Sequence, residues 1–149
     1  RLGNQFIASG EGYFVTKSST GYQIILYHYC HYDRLYCMNQ HANIDLTNRY
    51  NVFLDTDDIR ITLNVDGLEK GSYKVKQQKL NRENGSGFDG WVGMGAPSRM
   101  DQEEVEYLKR SSVPKKFVRE VRVEEDFIIE ETLQPHEVQF IEIIPQRTT

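Results

Sequence analysis

His28, Cys30, His31, Cys37 and His41 crowd one short stretch, and imidazole and thiolate are the usual ligands of zinc. Their spacing opposes that chemistry. No Cys-x-x-Cys occurs, and on an extended strand His28 and Cys30 project to the face opposite His31. The residues read instead as packed or hydrogen-bonded polar groups, with no metal and no cofactor. A Cys30–Cys37 bridge is geometrically conceivable, but two cysteines make no disulfide framework, and thiols suit a reducing compartment.

Glu83, Asp89 and Glu103 raise the possibility of glycoside hydrolysis, which in retaining enzymes needs two carboxyls about 5 Å apart on a rigid frame, one with a raised pKa. These acids fall in a Gly-rich loop and on an exposed helix, so they read as solvated or loop-bracing groups. Ser86, Ser111 and Ser112 lack a Gly-x-Ser-x-Gly context. The glycines at 85–87 and 90–95 do not form a phosphate-binding fingerprint. No catalytic residue is assigned.

Trp91, with Phe88 and Tyr107, could form an aromatic platform, since rings stack on apolar faces and a rim Trp often marks a binding surface. Trp91 and Phe88 are the candidate substrate-binding residues. The competing reading is that Trp91 pins its loop to the domain, because a long loop needs anchors.

The elements that must position these groups are mostly strands. Residues 21–32 contain no Pro and no charge, with Ile24 and Leu26 on one face and Ile25 and Tyr27 on the other. They predict a central strand covered on both sides. Residues 12–17 form a hairpin with it through the small polar turn 18–21. Residues 1–10 are a lead-in whose Leu2, Phe6 and Ile7 pack on the domain or on polypeptide upstream. Residues 43–46 are a candidate edge strand.

Ile59, Ile61, Leu63 and Val65 alternate with polar residues, the period-2 mark of a half-buried strand. Residues 72–80 return as its hairpin partner. Residues 81–98, with five Gly and one Pro, predict a long loop. Residues 101–110 are the one inserted helix, with Asp101 as N-cap, Glu104 completing a capping box, and Lys109 and Arg110 at the negative end of the dipole. Strands at 117–124, 127–133 and 138–144 follow. The fold class is all-β: an antiparallel β-sandwich with a long Gly-rich loop and one inserted α-helix.

A chain of 149 residues is one domain's worth, 1–149, and buries enough surface to fold without disulfide or metal. Net charge is −4, which disfavours non-specific nucleic-acid binding. No apolar run approaches the roughly 18 residues of a membrane span. The chain opens at Arg1 without Met, suggesting a segment excised from the C-terminal part of a longer protein.

From residue 80 the sequence reads Leu80-Asn-Arg-Glu-Asn-Gly-Ser-Gly-Phe-Asp-Gly-Trp-Val-Gly-Met-Gly-Ala-Pro. It resembles a loop of the C-terminal β-sandwich in glycoside hydrolase family 39, the β-xylosidase family. Arg1-Leu-Gly-Asn-Gln, Ile25-Leu-Tyr-His-Tyr-Cys-His-Tyr, Glu103-Glu-Val-Glu-Tyr-Leu and Leu133-Gln-Pro-His-Glu-Val fall in the same order. The Tyr-His-Tyr wording is closest to the variant fused to AraC-type transcriptional regulators. The resemblance implies a non-catalytic accessory domain packed against an upstream (β/α)8 barrel, plausibly through residues 81–97. The family's catalytic glutamates would lie on that barrel. It also implies a carbohydrate ligand, DNA contacted only through an absent upstream domain, no membrane, and a cytoplasmic setting. The alternatives are the accessory domain of a retaining β-xylosidase and a free-standing carbohydrate-binding module.

Overall fold

The computed structural model describes residues 1–40, 44–54 and 57–147. Among these residues eight strands form two antiparallel sheets. The larger has the order β1 (Gln5–Gly10), β2 (Tyr13–Ser18), β3 (Gly21–Tyr27), β8 (Val138–Pro145), β5 (Gly71–Leu80) and β6 (Lys115–Val123). The smaller pairs β4 (Ile59–Val65) with β7 (Phe127–Leu133). Each strand of the interior alternates, so one face of each sheet turns to the other. Ile24 and Leu26 of β3, Ile141 and Ile143 of β8 and Tyr73 and Val75 of β5 pack on Phe127, Ile129 and Leu133 of β7. The alternating face of β4, Ile59 to Val65, completes this core.

The predicted hairpin between residues 58–66 and 72–80 does not form. β4 pairs with β7, while β5 lies between β8 and β6 in the other sheet. Both strands carry an inward apolar stripe, and those stripes face each other across the core instead of lying side by side. Leu68 packs on the core from the connection, so residues 66–70 arch from one sheet to the other. Period-2 patterning is the same for a hairpin and an arch.

The lead-in is a strand, β1, with a bulge between Phe6 and Ala8. Leu2, Phe6 and Ile7 stay exposed, although the Phe6 ring lies 5.5 Å from that of Phe14. The central strand ends at Tyr27, short of residue 32. Its Ile24 and Leu26 face is sealed, while Ile25 and Tyr27 are only half-buried, because the second sheet covers one side. Residues 44–46 form no strand, and Asn43 lies outside the described residues.

The helix is α3 (Gln102–Ser111). Asp101 accepts from the Glu104 N–H at 2.8 Å, and Glu104 accepts from the Asp101 N–H at 2.9 Å, which closes the capping box. Two shorter helices join it, α1 (Arg34–Cys37) and α2 (Gly87–Gly93). The second occupies the predicted Gly-rich loop. Its glycines cost helix propensity, but Ser86 caps it and α3 packs alongside, with Leu108 beside Gly90.

Candidate functional site

Three connections meet at one end of the sandwich: a 3-10 turn (Arg49–Val52), the 81–84 turn leading into α2, and the 134–137 turn before β8. Asp89, in the first turn of α2, ties the first two together. Its Oδ2 accepts from Tyr50 Oη at 2.8 Å and from Ser86 Oγ at 2.6 Å, and its Oδ1 accepts from Arg82 Nε at 3.1 Å. The Arg82 guanidinium also lies 3.7 Å from the centre of the Tyr50 ring, a cation–π contact. Burial pushes the Asp89 carboxyl up, but these hydrogen bonds and the Arg82 charge outweigh it and hold the group below the ordinary carboxylate value. Tyr50 shifts upward, through burial first and then its bond to Asp89. A carboxylate kept ionised and saturated by donors is no general acid. Asp89 braces the loop.

The third connection is a turn in which Glu137 N–H donates to Gln134 O at 3.0 Å and His136 takes a left-handed φ of 68°. Pro135 at its second position suits it; His at the third is a strained choice where Gly or Asn is usual. The turn is latched to the end of β3, since His136 N–H donates to His28 O at 3.1 Å and His28 N–H to Glu137 O at 2.9 Å. Beneath it runs a buried polar seam. Glu137 accepts from Asn81 Nδ2 and Gln139 Nε2, each at 2.7 Å, and Gln77 Nε2 donates to Gln139 Oε1 and Glu131 Oε1, each at 2.8 Å. The Asn81 amide oxygen meanwhile accepts from the Glu83 and Asn84 backbones, shaping the turn that presents Arg82.

A run of rings crosses this end of the molecule. Centroid separations are 4.7 Å for Tyr36–Tyr32, 4.9 Å for Tyr32–Phe53, 4.3 Å for Phe53–His136, 5.2 Å for His136–Tyr50, 6.2 Å for Tyr50–Phe88 and 6.1 Å for Phe88–Trp91. His136 is held below its ordinary pKa by burial first, then by the Arg82 and His28 charges, so it is neutral at pH 7. Tyr50, Arg82, Gln134 and His136 line a cleft of about 290 Å³ together with Asn51 and Asp58.

The candidates from sequence are distributed as follows. Phe88 and Trp91 both sit on α2, at the far end of the ring run. The Trp91 Nε1 donates to Pro97 O at 3.1 Å, an internal anchor. Tyr107 is 63% exposed on α3 and joins none of these ring contacts. Glu83 and Glu103 are exposed, and neither is among the side chains bonded to the Asp89 carboxylate, which are Tyr50, Arg82 and Ser86. His28 and Cys30 are buried, and the Cys30 thiol lies 3.7 Å from His28 O. His28 Nδ1 finds no partner among the described residues. No disulfide joins Cys30 to the exposed Cys37. His41 lies outside the described residues, and among those described no three His, Cys, Asp or Glu side chains are grouped to hold a metal. Sequence reasoning passed over Tyr50, Asn51, Arg82 and Gln134. Each stands alone in a polar stretch, and only folding brings them together.

The fold and this end-cluster define a two-sheet antiparallel β-sandwich with a loop-built, aromatic-rich cleft at one end. Solved structures share the fold. The chain superposes on a monomeric β-xylosidase from Caulobacter crescentus CB15 with a TM-score of 0.69 at 15% identity, covering 95% of this chain and 27% of that one. It superposes on a GH39 enzyme from Xanthomonas axonopodis pv. citri with a TM-score of 0.71 at 14% identity, covering 97% and 28%. At these identities the likeness is one of fold. No model of a known protein family matches the chain. Among curated proteins it is similar over 143 residues to uncharacterized HTH-type transcriptional regulators of Staphylococcus aureus, 25% identical in strain COL and 26% in strain MRSA252. The match covers 96% of this chain, which spans only 18% of those relatives. Among the described residues no helix is long and apolar enough to cross a membrane.

Proposed function

We propose that the chain is a non-catalytic β-sandwich accessory domain of a glycoside hydrolase family 39-like module in a cytoplasmic AraC-type transcriptional regulator. It packs against a (β/α)8 barrel belonging to the same parent chain and helps that module sense a carbohydrate, with Phe88 and Trp91 of α2 on the sugar side. DNA is reached only through a helix-turn-helix unit elsewhere in the parent. The carrying observation is coverage. The same stretch that fills about a quarter of a β-xylosidase and of a GH39 enzyme also aligns, over 96% of its own length, with HTH-type regulators of which it spans 18%. The local chemistry supports a non-catalytic role, because Asp89, which alone among the candidate acids Glu83, Asp89 and Glu103 is engaged in the end-cluster, is spent on bracing.

The test is deletion of this segment from the full-length parent, read by DNA binding with and without sugars. The reading predicts that operator binding persists while the response to sugar disappears. An unaltered sugar response in the deleted protein would sink it.

A second reading, the accessory domain of a retaining β-xylosidase, is favoured by the superposition on the Caulobacter crescentus β-xylosidase. Turnover of xylosides by the parent, with no operator binding, would select it.

A further inference from the structure

We propose that the cleft between the Arg49–Val52 turn, the 81–84 turn and the 134–137 turn is itself a binding site for one neutral sugar ring, held through vicinal hydroxyls. This rests on the carbohydrate part of the reading above but places the contact away from Trp91.

The argument begins with Arg82. Its Nε is engaged by Asp89 at 3.1 Å and its central carbon sits over the Tyr50 ring, 3.7 Å from the centre, so the guanidinium is held at two points. Its terminal nitrogens make no hydrogen bond among the described residues, and they belong to a side chain that lines the cleft. A guanidinium oriented in this way presents its remaining donors at little entropic cost. The side-chain amides of Asn51 and Gln134 likewise have no internal partner among the described residues, and each offers both a donor and an acceptor. Asp58 adds a carboxylate that forms no ion pair among the described residues.

Charge then selects the ligand class. Asp89 already compensates Arg82, and His136 is neutral, which leaves Asp58 as the uncompensated charge at the cleft. An anion would be repelled by Asp58, and a cation would meet Arg82. A hydroxyl donates and accepts at once, so neighbouring hydroxyls can satisfy a guanidinium and a carboxylate together. The His136 ring and Pro135 supply an apolar wall for the C–H face of a ring. A volume of about 290 Å³ lies at the small end of ligand pockets, which run upward from about 300 Å³, and suits a single ring better than an extended chain.

The test is an NMR titration of the 15N-labelled chain with the methyl glycosides of xylose, arabinose, glucose and galactose, and with methyl glucuronide as the anionic counterpart. The expected result is saturable shifts of the 51, 82, 134 and 136 amides with at least one neutral glycoside. Asn51→Ala and Gln134→Ala, both outside the core, should weaken that binding by about 3- to 10-fold, one hydrogen bond's worth. Arg82→Lys should abolish it while leaving the fold intact, as judged by the remaining amides. No saturable shifts at these residues, variants that bind unchanged, or tighter binding of the glucuronide would each overturn the proposal. The outcome is separate from the regulator reading. A parent whose response to sugar survives deletion of this segment sinks that reading without touching cleft binding, and a silent cleft in a sugar-responsive parent sinks only this one.

Discussion

The Arg82 guanidinium lies over the Tyr50 ring, its central carbon 3.7 Å from the ring centre, and Asp89 bonds to both. Loops distant in sequence are thereby locked into one unit that neither β-sheet contains. The carboxylate is the keystone of that unit, and the surrounding ring run gives it apolar walls.

Replacing Asp89 tests the keystone. Asp89→Ala leaves the Tyr50 and Ser86 hydroxyls and the Arg82 guanidinium without their acceptor, and hydrogen bonds to a charged group contribute about 1.5–3 kcal/mol each in net stability. Partial exposure lets water compensate, so a total loss of about 1.5–3 kcal/mol is expected in the urea midpoint, with Asp89→Asn recovering part of it. A loss under about 0.5 kcal/mol would show that the network is ornamental to stability.

The Trp91 indole is the anchor of the residues following β5. Trp91→Ala should accelerate amide exchange across residues 81–98, leaving β3 and β8 at wild-type protection. Equal protection in both proteins would assign the anchoring to Phe88 and Asp89 instead.

Glu137 is 4% exposed and serves two amide donors. Glu137→Ala strands Asn81 Nδ2 and Gln139 Nε2 in the interior, at about 1–3 kcal/mol for each buried unpaired group. The expected cost is about 2–4 kcal/mol in chemical denaturation, together with shifted NMR signals in the 81–84 turn. A normal turn in the variant would mean that the seam does not position Arg82.

Stability should fall on the acid side in two stages. His136 is depressed below 6.5 in the fold, so the unfolded chain takes up its proton first as the pH drops. That contribution is complete above pH 6.5 and is lost as the pH falls through the folded value. Asp89, depressed below 3.8, adds a second loss at lower pH of the same sign. Urea midpoints between pH 7.5 and 3 measure both stages. His136→Asn should remove the upper one, and Asn also tolerates the left-handed backbone there. Persistence of that stage in the variant would assign it to another group.

Gly21 holds φ at 134°, and a Cβ there would lie 2.0 Å from Ile143 O in the neighbouring strand. Gly21→Ala must move backbone between β3 and β8 and should cost at least about 2 kcal/mol. Gly67→Ala, in open space at φ 78°, should cost only about 1 kcal/mol of conformational strain. Similar losses at both sites would mean that the strand pairing at Gly21 is plastic.

What the amino-acid order alone established is the local grammar. The alternation of Ile59 to Val65, the Asp101–Glu104 capping box and the small polar turn before β3 each depend on neighbours a few positions apart, and each is present in the fold. The all-β class followed from those pieces. Strand partnership did not, because β4 looks alike whether it folds back on β5 or crosses the core to join β7. Nor was α2 legible, since glycine-rich residues become helical there only with Ser86 capping them and α3 packed beside them.

The same division applies to the site. Trp91 and Phe88 stand out in any reading, being large rings in a polar segment. Tyr50, Arg82 and His136 acquire meaning only when turns from three parts of the chain are brought to one end of the sandwich. Sequence records the donors, acceptors and periodicities. Which donor meets which acceptor is decided by sheet packing, because only the assembled core fixes the distances over which hydrogen bonds and ring contacts act.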